Sequence, residues 1–140
     1  MCESVTQRRC LYLMIRNNAS YFAFFFDDCV SSAIVPTYQW HHFSFVYDYS
    51  LMTQSIYVNG ILTCTKGASG PFLGNSGAIT IGAINNTGST PFHFWTGYLD
   101  DVQYVSRAKT ANEILDDATL VAYYSFDNGS LFDRGPNRIN

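Results

Sequence analysis

The sequence predicts an all-β chain: an antiparallel two-sheet jelly-roll sandwich with one short helix near the C-terminus. Three observations predict it. Most of the chain divides into short runs in which apolar side chains, many of them aromatic, alternate with the period of two that a half-buried strand requires. Asn59 followed by Gly60 is the dipeptide that a two-residue type I′ hairpin favours. Only one segment, opening at Thr110, carries helix-start chemistry.

Taken in order, LYLMIR (11–16) places Leu11, Leu13 and Ile15 on one face. In YFAFFF (21–26), Phe22, Phe24 and Phe26 share one side and Tyr21, Ala23 and Phe25 the other. Residues 40–48 (WHHFSFVYD) direct Phe43, Phe45 and Tyr47 one way and Trp40, His42, Ser44 and Val46 the other, with Trp40 read as a core residue. Residues 55–58 and 61–65 form the clearest hairpin, placing Val58 opposite Ile61 and Tyr57 opposite Leu62. Two Gly/Ser/Asn-rich stretches, 66–77 and 84–91, read as exposed loops on either side of a short strand at 78–83. Residues 92–105 read as one long strand with Gly97 as a bulge or bend. Thr110 as N-cap and Glu113 three residues on form a capping box for a helix of about two turns, with Ile114 and Leu115 turned inward. LVAYYSF (120–126) reads as another strand, and 127–140 as a turn-rich tail.

With 140 residues and 47% hydrophobic content, one core and one domain are expected, spanning residues 10–126 after a flexible tail at 1–9. Charged residues make up 14% and aromatic residues 16%, so ring packing rather than ion pairing should carry stability. A net charge of −3 argues against nucleic acid, heparin or an anionic membrane as partner. The densest apolar run is strand length, so no membrane span is expected. The first residues lack the apolar centre of a signal peptide, which leaves a cytosolic start or a fragment whose true start lies upstream.

Cys2, Cys10, Cys29 and Cys64 have no zinc-type spacing. If 11–16 and 21–26 pair across Asn17 to Ser20, Cys10 and Cys29 nearly face each other and could form a disulfide. Cys64, opposite Ser55 in the hairpin register, then reads as a buried free thiol and Cys2 as part of the tail. Asn18, Asn85 and Asn128 head Asn-x-Ser/Thr glycosylation sequons beside turn residues, which leans towards secretion.

WHHFSFVYD, IYVNGIL, ITIGA and GYLDDVQYVSRAKTANEIL together resemble the second half of a laminin-G-like domain of the concanavalin-A-like lectin/glucanase superfamily, over roughly residues 10–115. The resemblance implies that the first strands are missing. It also implies that 120–126, similar to the strand with which such domains begin, either opens a following repeat or fills the vacant slot in its own sheet. It further implies a non-catalytic extracellular binding or adhesion module that recognises glycan or protein, calcium-assisted in several relatives, within an array of neighbouring repeats. The alternatives are a purely structural repeat of a surface protein or a degenerate glycosidase.

Retaining glycosidases need two carboxyl groups about 5 Å apart. Glu3 and Glu113 are the only glutamates, and Asp100 and Asp101, being adjacent, face opposite sides of a strand, so hydrolysis is not expected. The three histidines accompany no nucleophile elbow. For calcium, Asp100 or Asp101 with Asp127 and Asp133 is one candidate set and Asp27, Asp28 and Asp48 another, weighed against solvated acids at strand ends. For a ligand, Tyr38, Trp40, Trp95 and Tyr98 are rings of the type that stacks on sugars. Trp95 and Tyr98, with Asn75, Asn85 and Asn86 of the two loops, are the candidate contacts.

Overall fold

The computed structural model describes residues 1–85 and 90–119. The strand at 120–126, the tail, Asn86, Asp127, Asn128 and Asp133 lie outside them.

Two three-stranded antiparallel sheets face each other. The first runs β1 (Tyr12–Arg16), β2 (Ala19–Ala23), β3 (Asp28–Val30), and the second β4 (Phe43–Asp48), β5 (Thr53–Val58), β6 (Ile61–Gly67). Each is a meander of hairpins, so the order in space follows the order in sequence. β5 shows why the sandwich forms: Gln54, Ile56 and Val58 are buried and Thr53, Ser55 and Tyr57 are not, so one face of the strand is sealed against the other sheet. Phe22, Phe24, Cys29, Ile56 and Val58 make the core, with Phe43, Phe45, Tyr47 and Phe72 packed around it. Rings cross the gap edge-on, Phe22 to Phe45 at 6.0 Å and Phe24 to Tyr47 at 4.9 Å, a geometry that adds about 0.5–1.5 kcal/mol per pair beyond burial.

The hairpins differ in how well their residues suit them. Asn17 and Asn18 (φ 51° and 59°) turn β1 into β2, and Asn59 and Gly60 (φ 52° and 77°) turn β5 into β6, all residue types that tolerate the left-handed region. Between β2 and β3 the same turn is made by Phe25 and Phe26 (φ 59° and 60°), closed by the Phe24 N–H donating to the Asp27 carbonyl at 3.0 Å. This turn corrects the expected run of strand through Phe26. It folds Cys29 back opposite Phe22, away from Cys10, which precedes the strand that pairs Tyr12 with Ala23.

The Cys10–Cys29 pairing is therefore overturned: the disulfides are Cys2–Cys10 and Cys29–Cys64. Val58 and Tyr57 pair with Ile61 and Leu62 as expected, but a bulge follows, so that Cys64 faces Ile56 rather than Ser55. One residue of slip moves a side chain to the other face. Cys64 consequently points into the core and joins β6 to β3. Cys2 is buried, and residues 1–9 pack instead of trailing: Leu73 N–H donates to the Arg8 carbonyl, and the Glu3 carboxylate takes the Asn75 N–H and pairs with Arg9.

The helix α1 (Ala111–Thr119) opens on the expected capping box, Thr110 N–H to Glu113 Oε2 at 2.8 Å and Glu113 N–H to Thr110 Oγ1 at 3.3 Å. Arg107 clasps the same carboxylate, and these partners hold the Glu113 pKa down to about 2. Ile114 is fully buried, whereas Leu115 is half exposed and lies over Gly60. The strands expected at 78–83 and 92–105 are not formed. A strand needs a ladder of hydrogen bonds to a neighbour, and among the described residues these stretches are joined by the isolated Ile84–Phe92 bridge and the Trp95 N–H on the Gly82 carbonyl.

Candidate functional site

After β3 the chain crosses the end of the sandwich as an irregular arm. Ser32 fastens it to the edge of β6 by N–H and Oγ, both donating to the Thr63 carbonyl, and Val35 fastens it to the β1–β2 turn, its N–H on the Asn18 carbonyl and its own carbonyl accepting from Asn18 Nδ2. Val35 is buried as the anchor, which leaves Ile34, Pro36, Gln39 and His41 facing Val58, Asn59, Ile61 and Thr63 across a groove of about 360 Å³.

No Asp, Glu, Lys or Arg lines the groove, and His41 and Asn59 are held by each other and by nearby backbone. Asn59 Oδ1 accepts the His42 N–H at 2.9 Å, and Asn59 Nδ2 meets His41 Nδ1 at 3.4 Å. His41 Nε2 lies 3.0 Å from the Pro36 carbonyl. A carbonyl only accepts, so the proton sits on Nε2 and Nδ1 accepts from Asn59. The imidazole is thus held at both ring nitrogens.

Beside the groove Trp40 is 68% exposed, with its ring 6.4 Å from that of Tyr98, itself 85% exposed. Trp40 is therefore not the core residue expected of it. Tyr38 stands fully in solvent on the same arm. Alternation carried a signal for this placement, since Trp40 shares parity with His42, Ser44 and Val46 and opposes the inward rings of β4. Gln39, His41 and Asn59 went unrecognised, because only the β4–β5 pairing brings Asn59 beside a pair of histidines 17 or 18 residues earlier.

On the other side of the Asn59–Gly60 turn stands α1. A Cβ on Gly60 would lie 2.8 Å from Leu115 Cδ1, so a bare backbone is what lets the helix seat there. Burial lowers the His42 pKa; Asp117 acts against this and Lys109 with it.

The remaining candidates are scattered. Trp95 is partly exposed, its N–H on the Gly82 carbonyl. Asn75 belongs to the loop clamped by Glu3, and Asn85 adjoins the Ile84–Phe92 bridge. Of the calcium candidates, Asp27 is buried and occupied, its oxygens taking Lys66 Nζ and both donors of Ser69 at 2.8 Å. Burial raises its pKa, and Lys66 and Ser69 more than reverse this, leaving it below the usual carboxylate value. Asp48 Oδ1 caps its own turn through Ser50 and Leu51, and Asp28 is exposed. The Asp27, Asp28 and Asp48 set is thus not assembled, and among the described residues no three His, Cys, Asp or Glu side chains group to hold a metal. Asp100 accepts the Asp101 N–H. Asn18 of the first sequon is exposed, while its Ser20 is buried.

A laminin G family profile, described as the concanavalin A-like lectin/glucanases superfamily, matches residues 4–115. The fold is similar to that in the 2.1 Å crystal structure of an S-layer domain-containing protein (residues 221–444) from Clostridium thermocellum, with a TM-score of 0.53 at 18% identity over 77% of this chain. The chain spans 61% of that structure. No curated protein sequence matches.

Proposed function

We propose that this chain, which belongs to the concanavalin A-like lectin/glucanase superfamily, is a non-catalytic recognition module of an extracellular or cell-surface protein, and that it binds an uncharged glycan. The observation that carries this reading is the exposed Trp40–Tyr98 ledge beside a charge-free wall of Gln39, His41 and Asn59. Indole and phenol faces suit the C–H side of a pyranose, and amide groups suit its hydroxyls. The lack of charge favours neutral sugars over sulfated or sialylated ones.

Two further observations support the reading. All four cysteines are bridged, which fits an oxidising compartment. Both glutamates are committed elsewhere, Glu3 to Arg9 and Glu113 to Arg107 and Thr110, which speaks for binding without bond cleavage. Calcium assistance remains part of the proposal through Asp100 and Asp101, whose partner candidates lie beyond Thr119.

A glycan array with and without EDTA tests it. Binding of neutral oligosaccharides that Trp40→Ala abolishes is the expected result, with EDTA sensitivity reporting on calcium. Silence towards every glycan would favour a purely structural repeat.

A further inference from the structure

The β2–β3 turn places two successive aromatic residues at positive φ. Asn17–Asn18 and Asn59–Gly60 make the same pair of positive φ angles with residues that adopt them readily, whereas Phe25 and Phe26 are bulky and strained there. Phe25 recovers something by packing 6.3 Å from Tyr12. Phe26, 79% exposed, has its ring 4.5 Å from that of Phe25. The fold has little use for an aromatic ring at this position, and a strained exposed ring has the character of a binding anchor.

At the opposite end of the same sheet lies the groove. β2 starts at Ala19, beside the Asn18–Val35 bonds that anchor the groove's arm, and ends at Ala23, just before the Phe25–Phe26 turn. Knob and groove are therefore a strand length apart and cannot meet within one copy. The groove's mouth is apolar, with Ile34 and Ile61 at 77% and 67% exposure, and about 360 Å³ accommodates a phenyl ring. The flanking charges are complementary. Asp28 stands exposed beside the knob and Arg16 exposed beside the Asn17–Asn18 turn, and among the described residues neither has an ion-pair partner.

We propose that this chain associates head to tail with further copies of itself, Phe26 of one copy entering the groove of the next, with Asp28 set against Arg16 across the contact. The contact is heterologous, so nothing in it closes after two copies and it propagates into a row. One ring and its rim bury a few hundred Å², below the roughly 1,000 Å² of a stable interface. Association is accordingly weak, and a tethered or crowded chain would benefit most. The groove shares Gln39, His41 and Asn59 with the proposed glycan site, so a bound sugar would compete with Phe26, but the association rests on its own observations.

Sedimentation of the full chain from about 10 μM to about 1 mM, the range where weak contacts populate, reads the association directly. Wild type should form a concentration-dependent ladder. Phe26→Gly should remain monomeric while melting no lower than wild type, since glycine suits the turn; this separates lost contact from lost fold. Ile61→Glu should also remain monomeric. Mixed, Phe26→Gly supplies an intact groove and Ile61→Glu an intact knob, so the pair should stop at a 1:1 dimer. Arg16→Asp combined with Asp28→Arg in one chain should restore the ladder that either change alone weakens. A wild type monomeric throughout, a Phe26→Gly chain that associates like wild type, or a mixture that fails to pair would each overturn the proposal.

Discussion

Removing the Cys29–Cys64 bridge by the double change Cys29→Ala, Cys64→Ala probes the junction between the two sheets. The bridge closes a loop of 35 residues, and the chain-entropy relation makes such a closure worth about 3.8 kcal/mol. Cys2–Cys10 spans eight residues, worth about 2.5 kcal/mol by the same relation. Taking an unfolding entropy of about 2.1 cal/mol/K per residue over 140 residues, the two losses correspond to falls in melting temperature of about 13 °C and about 8 °C. The assay is calorimetry or far-UV circular dichroism of the wild type and both double variants, with non-reducing peptide mapping to verify the bridges. The order of the two effects matters more than their size, because Cys29–Cys64 ties β3 to β6 whereas Cys2–Cys10 ties only the N-terminal loop to the start of β1. A smaller loss for Cys29–Cys64 than for Cys2–Cys10, or a peptide joining Cys10 to Cys29, would refute the sheet pairing described above.

Further outcomes follow from the α1 contact and its surroundings. Gly60→Val forces a β-branched residue to φ 77° and places its Cβ against Leu115, and should cost about 1–3 kcal/mol in urea unfolding; an unchanged midpoint would contradict the packing. Thr110→Ala removes the N-cap and should cost about 1 kcal/mol, seen as faster amide exchange confined to α1. His42 has its pKa lowered from 6.5 by burial, so the unfolded chain takes up the proton first. Stability is therefore complete above about pH 6.5 and declines as pH falls through the window down to the folded-state value. Melting curves at successive pH values should show this slope, and His42→Asn should flatten it.

How much of this was legible in the sequence varied with the kind of signal. The β5–β6 hairpin, the inward rings of β4 and the capped helix were readable because each rests on local chemistry: Asn59–Gly60, a period of two, and Thr110 with Glu113. The disulfides were not, because each hinged on a single backbone event without a residue signature. One bulge in the β5–β6 ladder turned Cys64 inward, and a hairpin turn built from Phe25 and Phe26 moved Cys29 away from Cys10. Residues 92–105 carried strand-type alternation without strand pairing, since alternation reports what a segment could bury and not whether a neighbour is there. At the candidate site, Trp95 and Tyr98 were named from residue type, and Tyr98 does stand on the ledge. Its companion Trp40 reads from the sequence as a core residue, and Asn59 is visible there only as a turn residue.

The most direct test of recognition through the exposed rings is a titration on the Trp95→Phe variant, which leaves Trp40 as the sole tryptophan. Adding neutral oligosaccharides while recording tryptophan emission should give a saturable blue shift that Tyr98→Ala weakens. An emission that no neutral sugar changes, from a chain that still melts cooperatively, would contradict the account.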